Sequence, residues 1–150
     1  MDIVTGPAVS NLLQRVARYP TRYREVFVCT PYLDDETADL VARLLVEAPD
    51  AHCGFTLVTR PDAARRVTDR LPAPVRRWSR SIRVSYRLHA KVYIAMARLR
   101  GQTEAIVTSA NLTLDGLYTN EELGVRLTGK SADERLAIAA VKQVVHNWIH

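Results

Sequence analysis

His89, Lys91, Ser109, Asn111 and Glu122 are the residues of this chain best equipped for chemistry. One short stretch supplies an imidazole, an ammonium, a hydroxyl, an amide and a carboxylate. That set suits the attack of a side chain on phosphorus. A neutral imidazole is a competent nucleophile near neutral pH. A lysine and an asparagine amide can hold phosphoryl oxygens as charge builds on them. Ser109 would add a hydroxyl donor, and Glu122 would accept a hydrogen bond from a His89 ring N–H, fixing its tautomer. The spacing supports the grouping. His89 and Lys91 stand two apart in an apolar run over residues 88–95, which predicts a strand. Alternate strand residues share a face, so the imidazole and ammonium are expected side by side. Ser109 and Asn111 have the same spacing at the end of the next apolar run, residues 105–109.

The stretch RLHAKVYIAMARLRGQTEAIVTSANLTLDGLYTNEELGVRL, residues 87–127, resembles the catalytic half of the phospholipase D superfamily. That family carries His-x-Lys, then Ser-x-Asn after a loop, then an acidic residue on a following strand. The wording is most similar to its nuclease and restriction-enzyme branch. Thr30-Pro31-Tyr32 also resembles the segment after the family's first strand. Two positions depart from the pattern: Met96 stands where the family usually has Asp, and Thr108 where Gly is common. The resemblance implies an α/β/α sandwich and a covalent phosphohistidine on His89. It also selects Glu122 over the adjacent Glu121, through Asn120-x-Glu122. One His89 cannot attack and protonate the leaving oxygen at the same moment. The chain holds one such motif, so a homodimer is expected, with two motifs meeting at a two-fold axis. The resemblance implies the same pairing.

The elements that must position these residues follow from periodicity. Residues 9–19 predict a helix with Leu12, Leu13, Val16 and Ala17 on one face. Residues 25–30 and 54–59 predict short buried strands. Between them Asp34 or Asp35 caps a helix reaching Glu47. Pro61 opens another helix, ending near Leu71, and residues 72–80 form a Pro- and Arg-rich loop. Residues 82–86, 90–95, 104–109 and 123–128 predict strands, with a helical turn near Leu114. Ser131-x-x-Glu134 predicts a capping box opening a last helix. Alternating strands and helices, then a run of strands, predict an α/β fold: a mixed β-sheet sandwiched between helices, in one domain spanning residues 1–150.

Bulk properties narrow the partners. With 150 residues the chain can bury roughly 70% of its unfolded surface. It has no apolar run near ~18 residues and no secretory pattern at its start. Cys29 and Cys53 lie in apolar segments and are expected to stay reduced, in a cytoplasmic protein. The net charge is +5, and all basic residues but Lys91, Lys130 and Lys142 are arginine. Arginine suits bidentate phosphate recognition. Arg65, Arg66, Arg76, Arg77 and Arg80 surround Trp78 in a stretch opposed only by Asp69. They are the candidate nucleic-acid surface, with Trp78 stacking on a base. The competing expectation is a solvated face with Trp78 in the core.

The first reading is thus a metal-independent nuclease needing no cofactor, acting on nucleic acid, with DNA placed before RNA. No membrane partner is expected. The chain has no room for a separate recognition domain, so cleavage is nonspecific or a partner protein supplies targeting. A second reading is a nucleic-acid-binding domain that has lost catalysis, suggested by Met96 and Thr108. A third is a lipid phosphodiesterase. His146 and His150 stand at helical spacing but lack the glutamate of a metalloprotease motif.

Overall fold

Unbroken apolar runs give strands that are buried on both faces, and a seven-stranded sheet forms the middle layer of the computed structural model, which describes residues 1–78 and 80–149. The strands are β1 (Asp2–Val4), β2 (Tyr23–Cys29), β3 (Gly54–Thr59), β4 (Ile82–Val84), β5 (Lys91–Ala97), β6 (Glu104–Thr108) and β7 (Gly124–Leu127). The helices are α1 (Pro7–Arg18), α2 (Asp35–Glu47), α3 (Pro61–Thr68) and α4 (Ala132–Ile149). The sheet order is β1-β7-β6-β5-β2-β3-β4. β2, β3 and β4 run parallel, joined through α2 and α3, and the remaining neighbours pair antiparallel. The mixed sheet sandwiched between helices is therefore as the periodicity predicts.

The two faces of β5 show how the layers are divided. Tyr93, Ala95 and Ala97 join the core under α1, α2 and α3. Val92, Ile94 and Met96 face the other way, toward Ile138 and Val145 of α4. Leu12, Leu13 and Val16 of α1 are buried. Each such aliphatic side chain contributes about 1.5–3 kcal/mol, so the apolar stripe alone holds α1 on the sheet. Cys29 and Cys53 are free and buried, and burial pushes the Cys29 thiol up to about 12. No helix among the described residues is long and apolar enough to cross a membrane.

Some boundaries differ from expectation. β1 leaves no periodic signal in its three residues; its pairing with β7 places it. The strand expected from Leu88 begins only at Lys91, so His89 lies in the irregular segment before β5. There the Leu88 carbonyl accepts from Arg60 Nε at 2.9 Å, drawing the backbone out of the ladder. α3 ends at Thr68, three residues early. At α4 only half of the capping box forms: Glu134 N–H donates to Ser131 Oγ at 3.1 Å. The Glu134 carboxylate turns instead to Thr128, taking its N–H and hydroxyl at 3.1 and 2.9 Å.

This topology places the C-terminal ends of β2, β3, β4 and β6 along one end of the sheet, with the N-terminal ends of β5 and β7. The segments leaving β2 and β6 meet there, over the start of β5, in a bridge between Leu33 and Leu112. Three buried threonines hold it. Leu112 N–H donates to Thr30 Oγ1 at 3.1 Å, and Thr37 Oγ1 donates to the Leu112 carbonyl at 2.6 Å. Thr59 Oγ1 donates to the Thr30 carbonyl at 2.6 Å. Gly116 packs against the same segment so closely that a Cβ there would lie 2.4 Å from the Asn111 carbonyl oxygen. Replacing Thr37→Val removes the Leu112 partner and one half of the α2 cap. A loss of about 1–3 kcal/mol is expected for the orphaned carbonyl, read as a lower urea midpoint. An unchanged midpoint would show that the closure carries no stability.

Candidate active site

All five predicted catalytic residues lie at that end of the sheet, at the termini of three strands, β5, β6 and β7. Lys91 opens β5 directly opposite Thr108 of β6. Among the described residues its ammonium has no hydrogen-bonded or ion-paired partner. His89 precedes it and is exposed. Ser109, Ala110 and Asn111 follow β6. Glu122 precedes β7, in an open groove it shares with Tyr118 and Leu123.

The Ser109–Asn111 segment is fixed from three sides. Thr108 Oγ1 donates to the Leu123 carbonyl and accepts from Ala110 N–H, both at 3.1 Å. Gly124 leaves room for that threonine: a Cβ at residue 124 would meet Thr108 Cβ at 2.7 Å. The substitution of Thr108 for the commoner glycine is thus structurally matched. From beneath, buried Tyr93 donates to the Ala110 carbonyl at 3.0 Å. Burial raises its pKa, keeping the phenol a donor. Laterally, Asp34 caps α2, accepting from Thr37 N–H at 3.0 Å, and also accepts from Leu114 N–H. Partial burial works against the Asp34 charge, but the Leu114 and Thr37 donors outweigh it and hold its pKa below the usual value.

Direct contacts are fewer than the shared location suggests. Ser109 Oγ donates to Glu122 and accepts from Leu123 N–H at 3.2 Å. Ser109 was expected to present its hydroxyl to a phosphate; within the chain that proton is already engaged. Glu122 was expected to orient His89, and within the chain its partner is Ser109. The buried side-chain oxygen of Asn111 has no partner among the described residues. His89 is held by a residue that the motif does not contain. Arg60 Nη2 lies 2.9 Å from His89 Nε2 and 3.3 Å from Nδ1. Arg60 is itself fixed by the Leu88 carbonyl and by Tyr32 Oη, the latter at 2.8 Å. Its position had a readable sign: Arg60-Pro61 follows β3 as Thr30-Pro31 follows β2. A residue before proline is held extended, so its side chain leaves the strand end without entering a helix.

The predicted nucleic-acid surface is divided by the fold. Trp78 is 4% exposed and donates its indole N–H to the Pro72 carbonyl at 3.2 Å. It is a core residue, and base stacking by its ring is corrected on that ground. Arg66 pairs with Asp35 of α2 at 3.0 Å, and Arg70 pairs with Asp35 and Asp39. Arg65 and Arg66 share a shallow groove with Asp62 and Asp69. Asp69 is therefore not the only acid opposing this stretch. Arg76 and Arg77 are exposed, and Arg77 lies over the Trp78 ring, 5.4 Å from its centre. Arg80 stands in a cleft facing α4, beside Arg83 and His146. His146 packs edge-on against Phe27 with ring centres 5.5 Å apart; His150 lies outside the described residues.

A cavity of about 470 Å³ opens elsewhere, at the opposite end of β5, among Met96, Leu99, Arg100, Ile138 and Lys142. It contains none of the candidate catalytic residues. Met96 belongs to that end, about 17 Å along the strand from Lys91 at 3.3 Å per residue.

No protein-family model and no curated protein matches the sequence. Solved structures do match. One is Nuc from Salmonella typhimurium, a phospholipase D family member: 14% identity, TM-score 0.55, covering 98% of this chain and 92% of that one. The chain has a phospholipase D-type fold. Polyphosphate kinase from Porphyromonas gingivalis matches at 18% identity and TM-score 0.60. The comparison covers 98% of this chain and 22% of the kinase, so the fold equals about a fifth of that protein. In the phospholipase D-type fold described here, the sheet end that carries His89 and Lys91 also depends on Asp34.

A carboxylate with a depressed pKa contributes stability above its unfolded pKa of about 3.9 and loses it as pH falls through the lowered native value. Asp34→Asn should therefore reduce the urea midpoint near neutrality and flatten the acid limb. Parallel pH profiles of parent and variant would reject the role.

Proposed function

We propose that this chain is a phosphodiesterase acting on nucleic acid, with His89 as nucleophile and a second copy of the chain completing the site. The supporting observation is the gathering of His89, Lys91, Ser109, Asn111 and Glu122 at one end of a phospholipase D-type sheet. Nuc and polyphosphate kinase carry, on the same fold, names that point to phosphoryl chemistry.

The chemistry follows from these groups. A lone pair on a His89 ring nitrogen attacks phosphorus, forming an N–P bond as the bond to the leaving oxygen breaks. Lys91 and the Asn111 amide hold the non-bridging oxygens, where charge collects. The leaving oxygen takes a proton from the partner chain's imidazole. Water then attacks the phosphohistidine, giving up a proton to that same imidazole, and the N–P bond breaks to free His89. No metal-activated water is required, so no cofactor is proposed. Large side chains stand exposed along this end of the sheet: Tyr32, Tyr86, Tyr118 and Leu123 are 53–80% exposed. Arg76 and Arg77 would contact phosphates nonspecifically. DNA is placed before RNA, and either cleavage is nonspecific or a separate protein would supply targeting.

A second reading has one observation in its favour. Ser109 and His89 are both engaged inside the single chain, as in a binding domain without turnover.

Cleavage of labelled single- and double-stranded DNA and RNA in excess EDTA separates the two. Cleavage by the parent is expected, with a loss of about 10⁴-fold in His89→Ala. Binding without cleavage of any polymer would select the second reading, and turnover of phospholipid vesicles alone would select a lipid phosphodiesterase. On the binding side, Arg76→Glu with Arg77→Glu should weaken DNA affinity and flatten its salt dependence. Arg66→Glu, whose arginine is already paired with Asp35, should change affinity less. Equal effects from both variants would remove the surface from residues 76–77.

A further inference from the structure

The cavity at the far end of β5 has five cations on its wall and, among the described residues, no carboxylate. Three elements build it. β2 is bulged there: Tyr23 pairs with Ala97 and Glu25 with Met96, leaving Arg24 between them. A bulge re-aims a side chain, and Arg24 lines the cavity. The turn from β5 to β6 carries Arg98, Leu99 and Arg100. It closes through Gly101 at φ +83°, a left-handed backbone that glycine adopts without strain. α4 supplies Arg135, Ile138 and Lys142 from one face, at helical spacing.

The charge of this wall is not cancelled within the chain. Of the five cations only Lys142 has an ion-paired carboxylate, Glu25 at 2.6 Å. Arg98 donates from Nε to the Thr21 carbonyl and from Nη2 to the His52 carbonyl, both at 2.9 Å. Arg135 Nη1 donates to the Gly129 and Lys130 carbonyls, both at 3.2 Å. A carbonyl is a neutral acceptor, so these bonds fix two guanidinium groups and leave their charge standing. Arg24 and Arg100 have no hydrogen-bonded or ion-paired partner among the described residues.

The floor is apolar. Ile138 is buried and Met96 half-buried, and methionine adapts to the shape of what it touches. Leu99 lines the same cavity and is 64% exposed, an apolar side chain turned to solvent beside an apolar floor. A nucleic-acid strand asks for a track of cations. These five converge on one space of about 470 Å³, within the range of roughly 300–1,000 Å³ typical of small-molecule sites. We propose that this cavity binds a small amphipathic anion, a carboxylate or phosphate monoester carrying an apolar chain. Arg24 and Arg100, the cations without partners, would meet the head, and Met96, Ile138 and Leu99 the chain. The site is separate from His89 and Lys91 and stands whether or not the chain cleaves nucleic acid.

The chain has two methionines, Met1 and Met96. Labelling their methyl groups with ¹³C gives one NMR reporter in the cavity and one control outside it. Octanoate and octyl phosphate, below their micellar concentrations, should move the Met96 methyl saturably and leave Met1 in place; the tighter of the two names the head group. 1-Octanol, the same chain without the charge, should bind at least about tenfold more weakly, the equivalent of one lost charge-assisted hydrogen bond. Inorganic phosphate alone should give no saturable shift. Arg24→Glu and Arg100→Glu change exposed side chains and should each weaken octanoate binding about tenfold or more. Arg43→Glu, on the exposed side of α2, makes the same change of charge away from the cavity and should bind as the parent does. A Met96 methyl unmoved by both amphiphiles, octanol binding as tightly as octanoate, or equal weakening by Arg43→Glu would overturn the proposal. So would a Met96 shift caused by a DNA oligonucleotide and by neither amphiphile, which would assign the cavity to nucleic acid.

Discussion

The candidate site depends on a closure made by three buried hydroxyl groups. β5 lies between β2 and β6, so the segments leaving those two strands become neighbours only beyond its end. There the ladder stops, and the backbone groups of Leu112 and Thr30 need other partners. Thr30, Thr37 and Thr59 provide them. Thr30 and Thr59 sit at the ends of parallel neighbours, while Thr37 comes from the first turn of α2. One small network therefore sets the Ser109–Asn111 segment against the strand ends that carry Tyr32 and Arg60. Leaving any one of these buried groups unpaired costs about 1–3 kcal/mol. That is enough to make an alternative path for the segment unfavourable.

The layers were legible in the sequence because they depend on periodicity. Leu12, Leu13 and Val16 mark the buried face of α1, and the unbroken apolar runs of β2 and β3 mark strands covered on both sides. The places of His89, Lys91, Ser109 and Asn111 beside apolar runs were legible in the same way, whereas Glu122 was singled out through the family resemblance. Side-chain partnerships were not legible. Asp35 and Asp39 neutralise Arg66 and Arg70 across about thirty residues of chain, so counting acids near the arginines in sequence overstated the free charge. Trp78 carried no mark distinguishing a stacking ring from a core ring; its burial comes from packing under the α1–α3 layer. Arg60 belongs to no motif, and its relation to His89 arises because β3 ends beside the segment that leads into β5.

The site divides into groups satisfied within the chain and groups that are not. The Ser109 hydroxyl is engaged, and Arg60 lies against the His89 ring. The Lys91 ammonium and the buried Asn111 oxygen have no partner among the described residues. A buried polar atom without a partner is costly and calls for an explanation. A phosphate oxygen is itself an acceptor and cannot satisfy the Asn111 oxygen; the proposed reading accounts for the open cation. Internal partners hold the satisfied groups ready until a ligand arrives, and the open cation is complemented by the ligand's own charge. Glu122 does not compete for that role, because Ser109 already occupies it.

Met96 shows why departure from a family's pattern must be judged by location. The resemblance places an aspartate at that position, and its absence would weaken a catalytic reading if the residue lay beside His89. In this fold it lies near the far end of β5, on the face packed against α4. A strand turns alternate residues to opposite faces. Lys91 and Met96, five apart, therefore cannot share one. An aspartate at residue 96 would stand by Lys142, which instead pairs with Glu25 at 2.6 Å. The lysine of this cluster has thus found its carboxylate on β2, and an apolar side chain at residue 96 leaves that pair undisturbed. The substitution bears on how α4 is held to the sheet. It lies at the far end of β5 from His89 and Lys91.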